Sequence, residues 1–230
     1  MQIKKKIYLT ISFDHELSLG GAKCYKKNLF EPANKIQELA NKIKVPFTHF
    51  TDILCAQRFK EWDQEHFYIP YKKQLKETLS YGSDIQLHIH PHWIDSRMIN
   101  GKLYPSKSFR LGDFKSQKSP NNISGIIRRG TELLTEICQE EDSNFECIAY
   151  RAGGYNISPY TEDILRGLYR NGIRIDSSVA KGFYFKSGIS EVNHRKMPKQ
   201  ANWTIPLAGP LNKQGPNGLY EIPIAARPRT

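Results

Sequence analysis

An α/β fold on a largely parallel sheet is what this sequence predicts, and three observations predict it. Short β-branched and aromatic runs such as "IYLTISF" (7–13) and "FECIAY" (145–150) alternate with longer amphipathic segments. Those runs are apolar enough to be strands buried on both faces, as parallel strands are. The chemically unusual residues follow directly after the runs, in "SFDHE", "LHIHPH", "YRAGGY" and "IDSS". In open α/β sheets and in barrels alike, function collects at the carboxyl ends of the strands.

The elements follow in order. "IYLTISF" is the first strand, and "EPANKIQELANKIK" (31–44) is a helix with Ile36, Leu39, Ala40 and Ile43 on one face. A second strand begins in Val45 to Phe50, completing a β-α-β unit. "YKKQLKETLSYGS" is a helix ending at Gly82, and "DIQLHIH" is a third strand that runs into the histidines. From Trp93 to Asn122 a polar excursion rich in Gly and Pro is long enough to cover a site. Regular structure resumes with the helix "GIIRRGTELLTEICQE", the strand "FECIAY", the helix "PYTEDILRGLYRNG" and the strands "IRIDSSV" and "GLYEIPIAA". No linker interrupts the series, so residues 1–230 are expected to form a single domain.

A net charge of +11 gives the chain a surface that attracts anions. The basic residues are scattered and no run of them is interleaved with stacking aromatics, which argues against a nucleic-acid partner. Cys24, Cys55, Cys138 and Cys147 lack C-x-x-C spacing and are read as reduced thiols in a cytosol. "MQIKKKIYLTISF" has a short apolar run without a cleavage site and reads as a strand, not an export signal. No stretch is long and apolar enough to span a bilayer.

Asp14 and Glu16 are two apart on an extended segment and so point to the same side. His88 and His92 are four apart across a turn forced by Pro91, a spacing that can converge two imidazoles on one ion. A carboxylate with two neutral imidazoles is a recognised catalytic zinc or related divalent site that leaves positions open for water and substrate. Taken singly, each group has a plainer reading as a helix cap, a satisfied core histidine or a turn. Their recurrence at successive strand ends favours a site.

On "SFDHE", "HIHPH" after "DIQL", and "RAGGY", the chain resembles the polysaccharide deacetylase (NodB-like) superfamily, which includes chitin and peptidoglycan N-deacetylases. It looks most similar to the WalW-like branch associated with lipopolysaccharide biosynthesis. The resemblance extends over nearly the whole chain and implies a distorted or incomplete (β/α) barrel. It implies Asp14 as catalytic base, Arg151 as the arginine that pairs with and orients it, and His88 and His92 as metal ligands, with His90 facing elsewhere. The family's third ligand is an aspartate where this sequence has His15. The role therefore passes to Glu16, which shares a face with Asp14, with His15 as a substitute. The backbone near Tyr155 matches a segment that helps bind the oxyanion, and Asp176 falls near a later acidic motif. The family's late histidine, a general acid, has no counterpart in "LYEIPIAARPRT". His194 lies in a polar segment expected to be a surface loop.

The implied chemistry is metal-dependent hydrolysis of an N-acetyl group on a sugar or glycan precursor, with one divalent ion, Zn2+ by expectation, lowering the pKa of water towards ~7. The expected setting is cytoplasmic, with peripheral contact to the anionic inner membrane surface. Trp93 and Tyr104 are candidates to stack on sugar rings or to belong to the core. Two other readings stay open: a glycan-binding relative without turnover, and a hydrolase of a different amide. The oligomeric state is not legible in the sequence.

Overall fold

The computed structural model describes residues 8–18 and 24–225. In chain order the elements are β1 (Ser12–His15), α1 (Glu31–Ile43), β2 (Thr48–Asp52), α2 (Ile53–Trp62), α3 (Ile69–Ser80) and β3 (Asp84–Ile89). The hairpin β4 (Arg97–Ile99) and β5 (Lys102–Tyr104) is followed by α4 (Ile123–Gln139), β6 (Ala149–Ala152), α5 (Thr161–Arg170) and β7 (Ile175–Asp176). A second hairpin, β8 (Tyr184–Lys186) and β9 (Glu191–Asn193), precedes β10 (Trp203–Pro206) and β11 (Gly218–Glu221).

Seven strands form one sheet in the order β1-β2-β3-β6-β7-β11-β10. Every neighbouring pair from β1 to β11 is parallel, and β10 closes the edge antiparallel to β11. From β1 to β11 the spatial order follows chain order, so each crossover steps the same way around the sheet. That is the winding of a barrel, and the doubly wound alternative would reverse direction midway. Among the described residues β1 and β10 are the sheet's two edges, as an incomplete barrel would have them.

Strand alternation sorts the sheet's two faces. Ile85, Leu87 and Ile89 on β3 point outward under the helices, where Leu87 and Ile89 meet Gly130 of α4. Gly130 has no side chain to hold α4 away from the strands, since a Cβ there would lie 3.2 Å from Leu87 Cδ1. Gln86 faces the other way, and its Oε1 accepts the N–H groups of Ile148 and Ala149 at 3.0 and 2.7 Å. A side chain thus stands in for the ladder there, so β6 begins only at Ala149 and not at Phe145.

Several sequence expectations need correcting. The first strand starts at Ser12, with Ile7 outside the described residues. On α1 the buried stripe is Ala33, Gln37 and Ala40, while Leu39 and Ile43 are exposed. The stripe is of small residues and one amide, and the Gln37 amide donates to Asn41 Oδ1 at 2.8 Å. Trp93 belongs wholly to the core, its indole N–H donating to Asp52 Oδ2 at 2.6 Å, so it cannot stack on a sugar. Among the described residues no helix is long and apolar enough to cross a membrane.

Candidate metal centre and catalytic pair

β3 stays extended through His90, whose φ and ψ are −103° and 99°. On an extended chain residues i and i+2 share a face, so His88 and His90 project together into the barrel mouth. The 3-10 turn starts only at Pro91 and sends His92 away. His92 is fully buried, its ring centroid 4.6 Å from Trp93 and 5.3 Å from Phe109, and neither ring nitrogen has a hydrogen-bond partner. Burial pushes its pKa down to about 3. The structure thus brings His90, which was expected to face elsewhere, to His88, and does not bring His92 to them. His88 and His90 converge, and the alternation Ile85, Leu87, Ile89 was the signal that pairs them.

The third member of the group is Glu16. Its carboxylate and the donor nitrogens of His88 and His90 lie within 4.8 Å of one another. Glu16 Oε2 is 2.9 Å from His88 Nε2 and contacts His90 Nε2 closely. His88 Nδ1–H donates to the Arg151 carbonyl at 2.8 Å, which fixes the ring's orientation and leaves Nε2 aimed at the group. Burial pushes the Glu16 carboxyl up, but hydrogen bonds from His88 and His90 outweigh it and hold the group well below the usual carboxylate range. His90 shows the reciprocal effect: burial disfavours its charge, yet Glu16 and then Asp52 raise its pKa. The field at this point favours positive charge, and two imidazoles with one carboxylate are the donor set a divalent ion takes. The residues present therefore suit such an ion.

Asp14 lies beside this group on the same face of β1, as parity predicts. Arg151 Nη1 donates to Asp14 Oδ1 at 2.7 Å. The rest of its guanidinium is fully engaged: Nη2 donates to Ser12 Oγ and Ser177 Oγ, and Nε donates to the Ser177 carbonyl. The fork, buried and stacked 4.0 Å over the Phe50 ring, is rigid. Strand register explains the convergence, because Asp52 is opposite His88 and His88 is opposite Arg151 across three adjacent strands.

The glycines of "RAGGY" serve the same cluster. A Cβ on Gly153 would sit 2.7 Å from both His90 Nδ1 and the Ile89 carbonyl, so only glycine lets this loop lie against the ligand ring. Gly154 and Tyr155 then turn through left-handed conformations, φ 58° and 60°. Burial and then the charge of Asp14 raise the pKa of the Tyr155 phenol.

Three further expectations change. His15 points to the other side of β1, its Nε2 bonded to Gln74 Oε1 at 2.9 Å, and burial pushes it down to about 4. It is no substitute ligand. Asp176 is fully buried behind Arg151, accepting the Ser178 hydroxyl at 2.6 Å and facing Glu221 across the register. Burial raises both carboxyls, Glu221 well above its ordinary value. A shared proton accounts for their otherwise unpartnered oxygens. His194 is buried instead of lying in a surface loop. Its Nδ1 accepts the Ala180 N–H at 3.2 Å, and burial pushes it down to about 4. It lines a cavity of about 840 Å³ beside Tyr155, with Arg110, Arg195 and Lys196.

Asp52 escaped the sequence reading because it follows "THFT", a run with no obvious motif. It is fully buried, and its carboxylate accepts the His90 backbone N–H at 3.3 Å and the Trp93 indole. It thus fixes both ends of the segment that carries His90.

No protein-family model matches this sequence, and no curated protein matches it significantly. Similar folds are found among solved structures. A protein assigned as a polysaccharide deacetylase, from Mycobacterium smegmatis, superposes with a TM-score of 0.50 and 13% identity over 94% of this chain and 58% of that one. Streptococcus pyogenes deacetylase PplD in complex with acetate gives 0.46 and 16% over 79% and 60%. BA3943, a CE4 family pseudoenzyme from Bacillus anthracis, gives 0.41 and 10% over 73% and 41%. The chain thus spans at most 60% of the length of these structures. The first likeness shows the fold, a NodB-like (β/α) barrel with a largely parallel sheet.

Proposed function

We propose that this chain is a metal-dependent hydrolase that removes an N-acyl group, acetyl in the simplest case, from an amino sugar of a cell-surface glycan or its precursor. The observation that carries the reading is the adjacency of two units at one end of the barrel. One is the Glu16, His88 and His90 donor group, and the other is the Asp14 and Arg151 pair.

A divalent ion held by Glu16, His88 and His90, with zinc the first choice, would supply Lewis-acid polarisation and an acidified water at neutral pH. Arg151 holds Asp14 by one carboxylate oxygen, which orients the group as a base towards that water. Among the described residues the late histidine His194 is turned to the backbone, its Nδ1 accepting the Ala180 N–H. Asp14 is placed to take the proton and to return it to the leaving nitrogen. Tyr155 overhangs the same space and positions the acyl oxygen. The cavity beyond it carries Arg195 and Lys196 beside Glu191, with Arg110 already paired to Asp113, and its net positive charge suits a glycan bearing phosphate or carboxylate. Within NodB-like enzymes, the motifs favour the WalW-like lipopolysaccharide branch. The charge of +11 favours work at an anionic membrane surface on the cytoplasmic side.

The test is release of free acid and amine from a panel of N-acylated sugars by zinc-loaded protein. Wild type should turn over at least one of them, and Asp14→Asn should retain zinc while losing turnover by roughly 100-fold or more. Zinc-replete protein that binds these sugars but releases nothing from any of them would establish a glycan-binding relative in place of the enzyme.

A further inference from the structure

A second, smaller cleft of about 330 Å³ opens directly from the metal centre. Its inner wall is His90 with Gly153, Gly154 and Tyr155, and its outer wall is Phe109 together with Phe183, Phe185 and Ile189 around the β8–β9 hairpin. Those three hairpin residues are markedly exposed for their size. The two serines in the wall are already used within the protein. Ser187 Oγ accepts the N–H groups of Ile189 and Ser190, and Ser190 Oγ accepts the Asn156 amide. Beyond its reacting end the cleft therefore offers aromatic and aliphatic surface, with no free polar set arranged to read sugar hydroxyls. It also has room for about ten groups the size of a water molecule (~30 Å³ each), of which an acetyl methyl would fill one.

We infer that this cleft binds the acyl side of the scissile amide, and that the substrate carries an aliphatic N-acyl chain longer than acetyl. The inference rests on the proposed amide hydrolysis and adds its specificity. The reaction is R–CO–NH–R′ + H2O giving R–COO⁻ and R′–NH3⁺. The C–N bond breaks, water supplies the new C–O bond, and the amine leaves with the protons. With the carbonyl held next to His90, the chain R runs along Tyr155 to Phe185 and Ile189, while the sugar R′ lies towards the cationic cavity on the far side of Tyr155.

Binding of N-acetyl-, N-butanoyl-, N-hexanoyl- and N-octanoylglucosamine to zinc-loaded, full-length Asp14→Asn protein tests this by calorimetry without turnover. Each added pair of methylenes should tighten Kd by roughly tenfold until the cleft is filled. In the same background Phe185→Ser and, separately, Ile189→Ser should flatten that dependence while leaving the N-acetyl compound unchanged. Both positions are exposed, so unaltered thermal midpoints are expected to accompany the change. A Kd independent of chain length, or variants that weaken every member equally, would overturn the assignment. So would loss of binding to anionic lipid vesicles in these variants with no effect on the acyl series, which would make the hairpin a membrane contact. Acid release by the Asp14-containing protein is read separately. Chain-length-dependent binding without any turnover would sink the hydrolase reading and leave the cleft's ligand standing.

Discussion

At the scale of single residues, the site depends on a few positions where one atom decides the geometry. Gly153 is the sharpest of them, because a methyl there would meet His90 Nδ1 and the Ile89 carbonyl at 2.7 Å. Neither neighbour can yield easily, one being a ring in the donor group and the other backbone. Gly153→Ala should weaken zinc affinity by roughly 10–100-fold, as loss of ligand orientation does, while the protein stays folded. Competition with a chelator of known affinity would measure it, and an unchanged affinity would show that the loop does not position the ring. That Arg151 would meet Asp14 was legible because it follows a strand in "YRAGGY", and that Glu16 would lie near them because parity places Asp14 and Glu16 on one face. The placement of His90 beside Glu16 was not expected, because H-x-x-x-H spacing was weighed above strand alternation. Asp52 was missed altogether, since a buried carboxylate that holds a backbone N–H leaves no pattern in one sequence.

At the scale of elements, the helices and the parallel strands were largely readable, and the antiparallel pieces were not. α4 announces itself by its apolar stripe but starts two residues before the expected Gly125, where Asn122 caps it, its Oδ1 accepting the Gly125 N–H at 2.8 Å. Asn122→Ala should lower the unfolding free energy by about 1 kcal/mol, seen as a lower urea midpoint, with zinc affinity unchanged. No loss of stability would mean that the cap is replaced by water. α2 went unseen because Ile53, Leu54, Cys55, Ala56 and Phe59 form a nearly continuous apolar run, which periodicity alone does not separate from a strand. β10 and the β8–β9 hairpin are three or four residues each and sit in polar surroundings. Their pairing is set by contacts far along the chain, as with Trp203 opposite Glu221, and no local signal carries that.

At the scale of the whole molecule, the monotone strand order brings the ends of β1, β2, β3 and β6 to one mouth, so residues more than 130 positions apart, such as Asp14 and Arg151, meet. The same packing buries histidines in neutral form. Burial pushes His49 and His194 down to about 4, against 6.5 for the unperturbed side chain. Their contribution to stability is complete above pH 6.5. It is lost as the pH falls towards 4, because over that window the unfolded chain takes up protons the folded one refuses. The limit is about 3 kcal/mol for each group. The thermal midpoint should therefore fall between pH 7 and pH 5, and His194→Gln should lessen the fall; a midpoint that stays level would contradict buried neutral imidazoles. The central claim, that the barrel mouth holds one divalent ion through Glu16, His88 and His90, is tested most directly by metal analysis of purified wild type, His90→Ala and His92→Phe after dialysis. One equivalent in wild type and His92→Phe, with the ion lost from His90→Ala, is the predicted result. Retention in His90→Ala together with loss in His92→Phe would contradict it.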